Sequence, residues 1–407
     1  MPTVTTAAPT TGTSDDRTKR NATFSALLLL ATLGLSGLSL KFLPVPFVWI
    51  GWAWVILLLF GAWRLRTDWV RALLSSAAVL MVTLAAAETY ITLHPPLHPT
   101  VSGGYYVLDD VLGTVPARPT QAHATEFDRG KLIYDVTYTI GSNGLRIAPP
   151  PNASGLAGSI LFFGCSFTFG EGVQDDETMP YQVGIQSSGR YQIYNFAFHG
   201  YGPEHMLAAI ESGKVHQVVE TPPRYAIYQV LPDHVARVAG KIPYGKHNPR
   251  YQLDADGTVH LHGHFDDGEK PPSVLKAKLE WQLRKAAIYQ MLKGLEPPTD
   301  ENDIRLLLAT IRRSRDLLVA EYPGIEFHVI LWPKSPGEET IYRELQEGFR
   351  RMNIPGYLVE NIFPDYDTGK YWLDPDDRHP NALANRLLAK YVVTTILSSH
   401  PEVQPPK

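Results

Sequence analysis

Ser159–Gly172, SILFFGCSFTFGEG, is the stretch on which the reading of the chain turns. Ile160–Phe163 is a short apolar run that stops at Gly164, and Ser166 follows two residues later, ahead of more glycine. An apolar run of that length bounded by glycine reads as a buried strand. It delivers Ser166 to a turn at the strand's carboxyl end, the edge at which open α/β sheets bind ligands. A serine there is a candidate nucleophile wherever a base can reach it.

Working outward, further apolar runs at Tyr191–Ala197, Tyr225–Leu231 and Glu326–Trp332 read as strands. Helical patterns over Ile304–Tyr322, Glu339–Met352 and Asn381–Ser398 alternate with them or follow them. Strand alternating with helix predicts parallel βαβ units and a three-layer α/β fold over residues 159–400. Residues 241–293 break the rhythm and read as an insertion, with a hairpin over Tyr251–His262. Upstream, 95–158 reads as a linker and small β element. Its strand Lys131–Ile140 turns at Gly141–Gly144 and returns at Leu145–Ile147, and no chemistry is read in it.

The N-terminal part is of another kind. Residues 1–22 are polar and aperiodic, and read as a disordered cytoplasmic tail. Residues 23–94 carry three uncharged apolar runs, Thr23–Leu40, Phe42–Trp63 and Ala72–Leu93, the last interrupted by Glu88. Each approaches the roughly 20 residues that span a bilayer, so three transmembrane helices are expected. Arg17, Lys19 and Arg20 precede the first run, and Arg64, Arg66 and Arg71 lie between the second and third. Only Lys41 lies between the first two. The positive-inside rule then puts the N-terminus in the cytoplasm and everything after Leu93 outside it. The 407 residues carry a net charge of −4, which argues against nucleic acid as a partner. Cys165 is the one cysteine, so no internal disulfide can form.

Near the C-terminus, Asp376 precedes His379 by three residues, ahead of a helix opening at Pro380-Asn381. An acid can fix an imidazole's tautomer while its free nitrogen takes a proton from a hydroxyl, so Ser166, Asp376 and His379 form a plausible triad. His260, His262 and His264 alternate and would share one strand face. With no further ligand clearly arranged, an exposed hairpin edge is favoured over a metal site, and no cofactor is expected.

From about Ser159 to Ser398 the chain resembles the SGNH (GDSL-type) hydrolases. GCSFTFGEGV resembles their first block, which makes Ser166 the nucleophile and its amide an oxyanion donor. NFAFHGYGPEHML resembles the second block, whose glycine amide, here Gly200, is another donor. DPDDRHPN resembles the fifth block and maps acid and base to Asp376 and His379. The resemblance implies a flavodoxin-like sheet of about five parallel strands with helices on both faces. Two positions depart from the pattern. Cys165 replaces the usual aspartate before the serine. The third block, which normally supplies an asparagine, is YQVLPDHVAR and offers Asp233 and His234. An ionised Asp233 cannot donate a hydrogen bond, so either His234 substitutes as the donor, or Asp233 is held neutral or serves another role, or activity is weak. His199 and His205 flank the second block as candidate pocket residues.

Together these readings give a membrane-anchored serine esterase acting outside the cytoplasm. Its expected substrates are O-acyl groups of envelope or exported polysaccharide, or lipid esters. The alternatives are an O-acyltransferase using the same triad, which would need a membrane-protein partner to supply acyl groups, and a degenerate glycan-binding module.

Overall fold

The structure is a computed structural model describing residue 23 and residues 47–398, apart from 66, 95–99, 102–103, 129, 271–272, 296 and 334–336. It divides into two compact units. One groups the chain up to Pro96 with Lys270–Gly294; the other holds Leu97–Glu269 and Leu295–Lys407.

In the first unit, α1 (Phe47–Arg64) and α2 (Asp68–Leu93) pack as a hairpin. Small residues let the two backbones approach: a Cβ added at Gly51 would lie 3.1 Å from the Ala85 Cβ. Trp52 Nε1 donates to Thr89 Oγ1 across the pair at 3.1 Å. Among the described residues, α2 alone is long and apolar enough to cross a membrane. This corrects the expectation of three spans. Apart from Thr23, the first run lies outside the described residues, as does the tail. The second forms α1, an apolar helix of 18 residues that starts only after the helix-breaking Pro44 and Pro46. The third, interrupted by Glu88, becomes the long helix because it extends back to Asp68.

Glu88 also explains part of the insertion. Its carboxylate accepts from the amides of Ala287 at 2.6 Å and Ile288 at 2.8 Å. These open the helix Ala287–Lys293, which follows the helix Val274–Leu283. The segment read as one insertion is therefore two things. Lys270–Gly294 groups with α1 and α2, whereas the hairpin Pro249–Leu253/Val259–His264 belongs to the second unit.

The second unit begins with an antiparallel sheet. A short strand, Thr100–Val101, pairs with β1 (Thr120–Asp128), which pairs with β2 (Lys131–Ile140). The strand partner of β2 thus precedes it, and the expected return strand reduces to one bridge between Ile140 and Arg146. Five parallel strands follow: β3 (Gly158–Phe163), β4 (Tyr191–Asn195), β5 (Pro223–Val230), β6 (Glu326–Leu331) and β7 (Gly356–Leu358). Their spatial order is β7-β6-β5-β3-β4. In chain order that is 2-1-3-4-5, the flavodoxin-like arrangement, with its switch point between β3 and β5.

Side chains of β3 alternate between two cores, as the pleat requires. Ile160 and Phe162 face one that holds Met179 and Val183 of α4 (Met179–Gln186). Leu161 and Phe163 face the other, with Met206 and Leu207 of α5 (Pro203–Glu211) and Leu307 and Ile311 of α7 (Glu301–Glu321). Each of these four strand side chains is at most 1% exposed, and each contributes roughly 1.5–3 kcal/mol by its burial. Helix α6 (His234–Val238) follows β5; α8 (Glu339–Arg351) lies between β6 and β7. A closing hairpin, β8 (Trp372–Asp374) and β9 (Asp377–Pro380), leads into α9 (Ala382–Tyr391), which packs on the α4 side.

Candidate active site

Ser166 opens the one-turn helix α3 (Ser166–Phe169) immediately after β3, at the switch point. The turn demands glycine at Gly164, whose φ is +148° and where a Cβ would sit 2.2 Å from Thr168 Oγ1. Cys165 is fully buried, so its side chain turns inward while Ser166 faces the cleft.

His379 Nε2 lies 2.8 Å from Ser166 Oγ. The acid on its other nitrogen is Asp377, whose Oδ1 is 2.5 Å from Nδ1 and also accepts the His379 backbone N–H at 3.0 Å. This corrects the assignment of Asp376. The segment is a strand, in which residues two apart share a face and residues three apart do not. Asp377 is accordingly buried with His379 above it, and Asp376 is exposed. Asn381 then caps α9 through the amide of Ala384, fixing the chain beyond the imidazole.

A second carboxylate, unread in the sequence, stands on the far side of the imidazole. Glu171 Oε2 is 3.6 Å from His379 Nε2 and 2.6 Å from His199 Nδ1. His199 Nε2 in turn meets the Tyr105 hydroxyl at 3.1 Å. Burial alone would raise Glu171, but the charges of His199 and His379 outweigh it and bring it down to about 2. Burial works to lower His379, yet Glu171 and then Asp377 hold it up at about 9. Arg146 fixes the loop carrying Glu171. Its guanidinium donates to the carbonyls of Phe169 at 2.9 Å and Val173 at 2.7 Å, and to Asp175 at 2.9 Å.

Gly200 sits on the loop after β4 with φ +71°, and a Cβ there would approach the Tyr244 ring to 3.3 Å. Among the described residues, no acceptor takes the amide N–H of Ser166 or Gly200. The third expected donor is not supplied by His234. That ring is buried, pairs with the Tyr228 hydroxyl at 2.6 Å, and is held neutral because burial pushes it well below its ordinary value. Asp233 is exposed at the cleft wall. One helical turn on, Arg237 also lines the cleft and donates to the Tyr201 carbonyl at 2.8 Å, which ties down the Gly200 loop. His205 is buried, accepts from the Gly202 amide at 3.1 Å and stacks on Tyr201.

The cleft encloses about 750 Å³ and is walled by Tyr106, Tyr201, Tyr244 and Tyr366 among polar groups. The three alternating histidines do not converge. A register shift between Leu261 and His264 breaks the alternation; His260 pairs with Asp254 and His264 stacks on His247.

No family profile and no curated protein matches the chain. Among solved structures it is similar to a lipolytic protein of the G-D-S-L family from Desulfitobacterium hafniense, at 14% identity and TM-score 0.31, over 58% of this chain and 98% of that one. A G-D-S-L lipolytic family member from Veillonella parvula gives 15% and 0.33, over 59% and 98%. An acetyl xylan esterase from the rumen bacterium Butyrivibrio proteoclasticus gives 10% and 0.33, over 74% and 82%. Likeness at this level assigns neither family nor substrate, and the site's own geometry bears the functional reading.

Proposed function

We propose that the chain is a membrane-anchored serine esterase of SGNH type. The observation that carries this is the continuous contact from Ser166 Oγ through His379 to Asp377 at the sheet's switch point. Ser166 Oγ attacks an ester carbonyl carbon as its proton passes to His379 Nε2. The carbonyl oxygen becomes an oxyanion facing the amides of Ser166 and Gly200. The imidazolium then protonates the leaving alcohol, and an acyl-serine remains. Water gives a proton to Nε2, its oxygen attacks the acyl carbon, and the carboxylic acid departs with Ser166 restored. Tyrosines alongside carboxylates in an open cleft suit an O-acylated carbohydrate, whose rings stack and whose hydroxyls donate. For the anchor, α2 with Arg64, Arg66 and Arg71 near its start favours a cytoplasmic entry and an extracytoplasmic site.

The test uses the full chain in detergent with a fluorophosphonate probe and a short aryl ester. Ser166→Ala should abolish both labelling and turnover. Asp377→Asn should lower kcat on the order of 10³–10⁴-fold, as loss of a triad acid does, whereas Asp376→Asn should stay near wild type. Equal losses at 376 and 377, or an unlabelled wild type, would refute this reading.

A further inference from the structure

Glu126 is an acid at a position where its strand calls for an apolar side chain. Along β1 the inward residues are Ala122, Ala124 and Glu126, at 1%, 0% and 4% exposure. Opposite them β2 turns Tyr134, Val136 and Tyr138 into the same core. The register between the strands slips between Glu126 and Phe127. Bulges of this kind re-aim a side chain, and they concentrate beside active sites.

The end of β1 lies against the turn between β8 and β9, where carboxylate oxygens of Asp128, Asp374 and Asp376 come within 4.8 Å of one another, and the carboxyl that neighbours Glu126 there is that of Asp377. Asp377 Oδ1 is already filled by two N–H groups of His379. Its Oδ2 is buried and, among the described residues, has no hydrogen-bond partner as an ionised carboxylate. An ionised carboxylate only accepts, so two carboxyl groups can bond each other only when one carries a proton. The environments decide which one. Burial, reinforced by the charge of Asp377, holds Glu126 well above the ordinary carboxylate range. Burial also opposes ionisation of Asp377, but the hydrogen bond and charge of His379 prevail and keep it low. Like charges sharing a buried site separate in this way into one acid and one base.

We propose that Glu126 is a positioning residue for the esterase site: its protonated carboxyl donates to Asp377 Oδ2 and extends the run Ser166–His379–Asp377 by a fourth member, supplied by the antiparallel sheet. The proposal rests on the triad reading above. With Oδ2 held, the carboxylate cannot rotate about its Cβ–Cγ bond, and Oδ1 stays under the imidazole. Glu126 touches neither substrate nor the reacting atoms; it acts through Asp377.

Two measurements on the full chain in detergent test it. The infrared difference between Glu126→Gln and wild type at neutral pH should show loss of a protonated-carboxyl C=O stretch. Loss of carboxylate bands alone would overturn the proposal, whatever the activity. In aryl-ester hydrolysis, Glu126→Ala should lower kcat about tenfold with little change in KM, as a displaced triad acid would. Glu126→Gln should recover most of that loss, because a carboxamide N–H donates along the same line without titrating. A loss confined to KM, or equal losses in the two variants, would also overturn it. A wild type that hydrolysed no ester would refute the esterase reading and leave the infrared band to decide the Glu126–Asp377 pair.

Discussion

His379 lies between two carboxylates, and that has a cost in proton affinity. With its ring held at about 9, only on the order of one molecule in a hundred carries the neutral base at pH 7. The base works only when deprotonated, so kcat/KM should climb with pH through about 9. Glu171 is the larger of the two charges favouring the imidazolium. Glu171→Gln should therefore move this acid limb down by about one unit or more and raise the rate at pH 7; a limb that stayed at the wild-type pH would refute the assignment. At this scale the sequence was partly legible. Ser166 and His379 stood out because a serine after a glycine-ended strand and a histidine before a helix are recognisable local patterns. The acid is misplaced by one position because the reading rests on an Asp-x-x-His spacing of three just ahead of a helix, the pattern of the fifth block. In a strand, spacing of two is what brings side chains together. Glu171 lay inside the opening motif and passed unread, since its role depends on His199 and His379, both distant in sequence.

The elements that build the site differ in how plainly they declare themselves. β3 to β6 are apolar runs with glycine or proline nearby, and each was found within about two residues. β7 has only three residues at the sheet edge, too few for any pattern. β1, TQAHATEFD, has few β-branched residues and an acid on its buried face, so it did not read as a strand. What holds the serine turn is backbone geometry: a left-handed glycine on one side and the Arg146 clamp on the other. Gly164→Ala would force an L-residue to φ +148° against the Thr168 side chain. It should cost about 2–4 kcal/mol, read as a lowered thermal midpoint. An unshifted midpoint would mean that the turn relaxes freely.

Across the whole molecule, the chain leaves the second unit after Glu269 and rejoins it at Leu295. Glu88 closes that excursion within the helical unit by accepting two amides from a segment about 200 residues away. Glu88→Ala should free Lys270–Gly294 and speed tryptic cleavage at Lys276, Lys278 and Arg284 in detergent, with Glu88→Gln intermediate. Equal cleavage rates in all three proteins would count against the contact. Sequence could identify an acid in an apolar helix but not its partner, because the contact spans about half of the chain. The same architecture orders events during synthesis. Ser166 leaves the ribosome 213 residues ahead of the imidazole that activates it. Under the proposed function, a nascent chain that has not yet reached His379 carries an inert hydroxyl, and the capacity to cleave an ester arises in one step once that imidazole has been added.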